Sequence, residues 1–170
     1  LRGDVIEVRA PNILEWRGRR YRCALGRAGI VADKKEGDGG TPVGILPLRQ
    51  VLYRADRLAA PVTGLPVNPI RREDGWCDDP GDPAYNRAVK LPHAARHEDL
   101  WREDGVYDLI AVLGWNDDPV VAGRGSAIFM HVARPGYEPT EGCIALALTD
   151  LLEILADCRP DTLVRVRGAA

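Results

Sequence analysis

At 170 residues, with 45% hydrophobic and 28% charged residues, the chain has the composition of a globular protein large enough to bury a core. A formal net charge of -2, with the charges interspersed, predicts no polyanion-binding surface and argues against a nucleic-acid partner. No apolar run approaches the roughly 18 residues of a membrane span, and Leu1-Arg2-Gly3-Asp4 carries neither an apolar leader nor an initiator Met, which leaves the compartment open.

The elements, taken in chain order, begin as β. Val5, Ile6 and Val8 fit a short strand that Pro11-Asn12 breaks. Ile13 to Trp16 and Tyr21 to Leu25 flank Arg17-Gly18-Arg19 as a hairpin. A glycine-rich loop, Gly37-Asp38-Gly39-Gly40-Thr41-Pro42, leads into a strand over Val43 to Tyr53, with Pro47 as an edge or bulge mark. Arg54 to Glu103 is rich in Pro, Asp and Arg, has little periodicity, and reads as an ordered covering loop marked by Trp76 and Trp101.

Tyr107 to Gly114 and Ala127 to Val132 then read as central strands. A helix is predicted over Asp150 to Asp157, with Thr149 as N-cap, Asp150 in the first turn and Pro160 as the stop. Thr162 to Val166 alternates as a closing strand. The expectation is a mainly β fold, a sandwich or partial barrel with one or two short helices, formed by residues 1–170 as one domain.

The chemistry concentrates in the last third. A strand ends at His131, and Arg134-Pro135-Gly136-Tyr137-Glu138-Pro139 is too rich in proline for helix, so it returns as a shaped loop to Thr140-Glu141-Gly142-Cys143. Gly142 allows the close backbone approach that a turn presenting a nucleophile needs. An imidazole beside Cys143 would activate the thiol, and the N–H groups of Gly142 and Cys143 would hold a developing oxyanion. The competing reading is a small buried hydrophobe beside a hydrogen-bonded strand-end histidine.

Of the other cysteines, Cys23, Cys77 and Cys158, none forms a C-x-x-C pair, so neither a zinc knuckle nor a thioredoxin-type site is indicated. A disulfide stays open; one between Cys143 and Cys158 would silence the thiol. Trp115 and Asn116 close a predicted central strand and are candidates to line the same cleft, though turn chemistry explains Asn-Asp-Asp-Pro equally well. Trp76, Asp78 and Asp79 read as a packed turn or a lid. His93 and His97, four apart, would share a helix face but lack the Glu of H-E-x-x-H, so no metal site is assigned and no cofactor is expected.

His131 followed by Thr140-Glu141-Gly142-Cys143, with Thr41-Pro42-Val43-Gly44 upstream, resembles the L,D-transpeptidase catalytic domain, the YkuD-like family, over about residues 20 to 166. The resemblance implies a β-rich sandwich with Cys143 and His131 in one cleft. It implies a nucleophilic Cys143, a proton-shuttling His131 oriented by the backbone oxygen of Val132 or Ala133, and stem-peptide contacts from Thr140, Glu141 and Tyr137. The partners it implies are peptidoglycan stem peptides: a donor tetrapeptide that loses D-alanine, and an amine acceptor giving a 3-3 or 1-3 crosslink or a lipoprotein link. The periplasm or cell envelope follows as location.

Glu141 stands where many members have His or Lys, and Ala145 where an Arg is common, so Arg134 is the candidate cation for the substrate carboxylate. The alternatives on the same scaffold are a Cys-dependent carboxypeptidase or amidase that hydrolyses stems or wall-protein links, and, in another class, a non-catalytic wall-binding module.

Overall fold

Alternation of apolar and polar residues organises the first strands, which bury every second position. The first, β1 (Val5–Arg9), buries Ile6 and Val8, and β2 (Ile13–Trp16) buries Leu14 and Trp16. Arg17 and Gly18, both at positive φ, turn the chain into β3 (Arg19–Arg22). Two short strands, β4 (Ile30–Val31) and β5 (Thr41–Pro42), bracket the glycine-rich loop, and β6 (Gly44–Tyr53) follows. The computed structural model describes residues 4–168; residues 1–3 and 169–170, the ends of the expected 1–170 domain, lie outside the described residues.

Next come β7 (Val67–Pro69), β8 (Asp74–Cys77), β9 (Ala88–Lys90), β10 (His97–Asp99), β11 (Leu109–Leu113) and β12 (Phe129–Val132). The chain closes with β13 (Ile144–Leu146), α1 (Leu148–Ala156) and β14 (Leu163–Val166). The main sheet runs β13-β12-β11-β6-β14-β1-β2-β3, with β7 paired beside β6. Its two ends meet. Ala24, just past β3, exchanges both backbone hydrogen bonds with Ala145 of β13, at 2.8 and 2.9 Å, so the sheet curls into a barrel-like sandwich. The fold is mainly β with one α-helix, as the sequence predicts.

Three local expectations need correction. Strand β6 is interior, between β11 and β14, so of the two readings of Pro47 the edge is excluded, while a bulge does lie close by, where Val112 faces Gln50 but Leu113 faces Leu48. The helix starts at Leu148 rather than Asp150, with Ala147 and not Thr149 at the N-cap and no side-chain capping bond. Burial outweighs capping there: β13 feeds directly into α1, whose Leu151, Ile154 and Leu155 enter the main core. His93 and His97 do not share a helix, because His97 sits on strand β10.

Residues 54–103 form more than a loop. Strands β10, β8 and β9 make a separate three-stranded antiparallel sheet that lies over one face of β11 and β12. Every residue of β11 is buried because both of its faces are covered. On one side Leu109, Ala111, Leu113 and Met130 join the helix-side core. On the other, Ile110, Val112, Phe129 and Cys143 meet Ile70, Trp76, Leu100 and Tyr107.

Candidate active site

The strand ladder sets the site. Strands β12 and β13 run parallel, with Met130 opposite Ile144 and His131 opposite Ala145. Side chains alternate, so Phe129, His131, Cys143 and Ala145 project to the same face, the one beneath the covering sheet. His131 and Cys143 both line a cleft of about 480 Å³ that this sheet only partly roofs.

The turn before Cys143 is held by its own residues. Thr140 Oγ1 donates to the Cys143 carbonyl at 2.7 Å and accepts the Gly142 N–H at 3.1 Å. Gly142 has φ 140, and a Cβ there would stand 2.7 Å from the Gly40 carbonyl, so no other residue fits. The glycine-rich loop thus packs directly under the turn that carries Cys143. The Gly142 N–H is occupied by Thr140, whereas the Cys143 N–H has no hydrogen-bond partner among the described residues. Of the two amides expected to hold an oxyanion, the Cys143 N–H is therefore the one left available.

The Cys143 thiol lies 3.2 Å from the Ala127 carbonyl, to which it donates, and 3.4 Å from the Phe129 N–H. Burial, with Glu98 nearby, pushes its pKa up to about 12. His131 Nδ1 lies 2.9 Å from the Val132 carbonyl. A carbonyl only accepts, so Nδ1 carries the proton and Nε2 is left with its lone pair. Burial, reinforced by the positive Arg102 and Arg134, lowers the His131 pKa to about 4 despite the Val132 contact. At neutral pH the resting pair is therefore a thiol and a neutral imidazole. Tyr107 packs edge-on against His131, with ring centroids 5.4 Å apart, and its hydroxyl donates to Glu98 at 2.8 Å.

A second layer fixes the carbonyl under the thiol. The buried Asn86 accepts from Trp76 Nε1 and from the Ala127 N–H, both at 3.0 Å, and donates to the carbonyls of Trp115 and Asn116. Glu36 accepts from Tyr85 and Ser126, each at 2.7 Å. These bonds tie the covering sheet to the loop that ends at Ala127.

The family model for the L,D-transpeptidase catalytic domain, YkuD, matches residues 5–166. The chain belongs to this family. No curated protein and no solved structure matches it. L,D-transpeptidases are acyltransferases that act on peptidoglycan stem peptides and are typically associated with the cell envelope. Among the described residues no helix is long and apolar enough to cross a membrane.

For an L,D-transpeptidase fold, the sequence-predicted residues divide into those that reach the cleft and those that do not. Thr140, Glu141 and Arg134 line it with His131 and Cys143. Glu141 is largely exposed and pairs with Arg27 at 3.0 Å; Arg134 pairs with Asp104 at 3.3 Å. Tyr137 does not line the cleft: it sits at φ 56 with the Arg22 guanidinium 4.3 Å above its ring. Trp115 and Asn116 are likewise outside it. Trp115 Nε1 donates to Arg124, and Asn116 holds Val121 and Gly125, so both serve the loop that follows β11.

Of the Trp76-Asp78-Asp79 group, Asp78 alone lines the cleft; Trp76 is core, edge-on to Phe129 at 5.2 Å, and Asp79 caps Gly81. Sequence reasoning missed Lys34, Glu36, Arg96, Glu98 and Arg102, all on the cleft wall. Only Lys34 and Glu36 carried a signal, a charged pair entering the glycine-rich loop. Cys158 lies in the helix-side core, bonded to Ile154, so it and Cys143 belong to different cores.

Proposed function

We propose that the protein is a peptidoglycan L,D-transpeptidase with Cys143 as nucleophile and His131 as general base and acid. The observation that carries this reading is the shared face of β12 and β13: one cleft receives the thiol and an imidazole whose Nδ1 proton is fixed on Val132, freeing Nε2 for proton transfer. The high thiol pKa and low imidazole pKa mean that the thiolate forms only as attack proceeds.

Cys143 Sγ attacks the donor carbonyl while its proton passes to His131 Nε2. The oxyanion is held by the Cys143 N–H. Collapse expels D-alanine, whose amine takes the proton from Nε2, and leaves a thioester. An acceptor amine then attacks the thioester and gives its proton to Nε2; the amide forms, and the departing sulfur recovers the proton. Arg134 on the cleft rim supplies the cation for a stem carboxylate, sharing its guanidinium with Asp104. The location that goes with this chemistry is the periplasm or cell envelope.

The test is mass spectrometry of the protein incubated with disaccharide-tetrapeptides, beside Cys143→Ala. Loss of D-alanine with a new crosslinked dimer, absent in the variant, is expected, and fragmentation of the dimer names the acceptor. Trimmed monomer alone would assign a hydrolase, and no change with a reduced thiol would overturn the reading.

A further inference from the structure

The covering sheet holds a second group of side chains that the catalytic reading leaves unused. Cys77 ends β8 and is fully buried, Asp82 follows in the next turn, and His93 comes from the loop between β9 and β10. Their donor atoms all lie within 4.8 Å of one another. Cys77 Sγ is 3.6 Å from Asp82 Oδ2, and His93 Nε2 is 3.4 Å from the same oxygen.

The two separations from Asp82 Oδ2 have the size of tetrahedral edges. With Zn–S near 2.3 Å, Zn–N near 2.05 Å and Zn–O near 2.0 Å, a tetrahedral ion sets sulfur and oxygen about 3.5 Å apart and nitrogen and oxygen about 3.3 Å apart. His93 Nε2 is buried and has no hydrogen-bond partner among the described residues, although it stands 3.4 Å from Asp82 Oδ2, so it is a polar atom still in want of a ligand. The order of contacts also rules out a second nucleophilic triad. There the imidazole would stand between thiol and carboxylate, whereas here the carboxylate oxygen touches both, and the thiol is closed to substrate.

We infer that Cys77, Asp82 and His93 form a binding site for a tetrahedral divalent metal of the zinc class. The thiolate, carboxylate and neutral imidazole supply three ligands, and the Cys77 proton is released to solvent on binding. A water completes the shell, because the Asp82 and His93 side chains are 23% and 20% exposed and leave a way in. His97 does not join: its Nδ1 is on the Ala95 carbonyl at 2.8 Å and its Nε2 faces Asp99. The Ala84 N–H, 2.9 Å from Asp82 Oδ2, holds the carboxylate in place.

The ion would staple three otherwise separate pieces of the cover. The residue after Cys77 is Asp78, which lines the catalytic cleft and takes hydrogen bonds from Arg96 at its side chain and its carbonyl, at 3.1 and 2.6 Å. Metal occupancy therefore acts on the rigidity of a cleft wall, not on the reacting atoms.

The experiment uses the full chain carrying Cys143→Ala, so that the catalytic thiol contributes no metal binding, after removal of metal by chelator. Addition of Co2+ alone is expected to give one equivalent of binding with the intense visible bands of a tetrahedral centre and a thiolate charge-transfer band in the near ultraviolet. Cys77→Ser should remove the charge-transfer band, and His93→Gln, at a partly exposed position, should weaken Zn2+ competition for the site at least about tenfold. Zn2+ alone should raise the melting temperature of the parent, and that of His93→Gln by less. Absence of stoichiometric Co2+ binding, or binding that His93→Gln leaves unchanged, would overturn the inference.

Discussion

Strands β11 and β12 send alternate residues to two buried faces that the rest of the chain treats differently. On the helix side, Leu109, Ala111, Leu113 and Met130 meet Leu151, Ile154 and Leu155, and burial does nothing but exclude water. On the cover side, Ile110, Val112 and Phe129 form an equally buried floor, but Cys143 and His131 stand on it and Glu98, Arg102 and Arg134 surround it. There the same loss of water sets chemistry, lifting the thiol pKa to about 12 and dropping the imidazole pKa to about 4. Alternation along each strand thus separates a purely apolar core from the face that carries Cys143 and His131.

Substitutions on the two faces should therefore separate cleanly. The largest effect belongs to Cys143→Ala, which should lower turnover at least about a thousandfold while changing the free energy of unfolding by about 1 kcal/mol or less. Met130→Ala, on the opposite face of the neighbouring strand, should do the reverse. Urea unfolding should show a loss of about 2–5 kcal/mol from the cavity, with kcat/KM of the folded protein within about threefold of the parent. A large fall in kcat/KM for that variant would mean that the faces are mechanically coupled.

His131 tests both properties at once. Its folded pKa of about 4 lies below the ordinary 6.5, so the unfolded chain binds the extra proton between those values. The contribution to stability is whole above pH 6.5 and is lost as pH falls through 4, on the order of 3 kcal/mol in all. The pH dependence of unfolding for the parent should be steeper in that window than for His131→Gln, and the acid limb of the parent's kcat/KM should lie near 4 rather than 6.5. Coincident profiles for parent and variant would place the imidazole in a wetter site. The smallest effect is expected at Arg134. It is exposed and already paired with Asp104, so Arg134→Ala should raise KM for the donor by about threefold at most and leave unfolding unchanged.

Much of this division can be read from the sequence, but not all of it. The alternation in β1, the uninterrupted apolar run of β11 and the Gly142-Cys143 turn each carry their structure locally. His131 and Cys143 are legible as a pair through the resemblance of their motifs, since spacing alone leaves a buried thiol beside a strand-end histidine equally open; the loop between them, read as irregular, holds a short 3-10 turn over Pro135–Tyr137. The cover is not legible. Strands β8, β9 and β10 are three or four residues long and gain their order from Trp76 against Phe129 and from Asn86, contacts between residues far apart in the chain. For the same reason Glu98, Arg96 and Arg102 could not be placed on the cleft wall. Tyr137, Trp115 and Asn116 failed in the opposite way: they lie near the site in sequence, yet each is engaged by loop backbone or by a neighbouring arginine. The helix boundary moved because buried Leu151 and Leu155 fix the register of α1, whatever Thr149 would prefer as a cap.

The meeting of Ala24 with Ala145 has a bearing on how a peptide is recognised. Strand β13 would otherwise be the free margin of the main sheet, directly beside Cys143, where an extended ligand could align and borrow its amides. The segment through Ala24, Leu25 and Arg27 already takes those positions, from Thr140 to Ala145. On the proposed reaction, a stem peptide could not lengthen the sheet there. Apart from the Cys143 amide, it would be read by side chains and by the shape of the cleft, a mode that tolerates the D-configured and side-chain-linked residues whose backbones would not follow a strand.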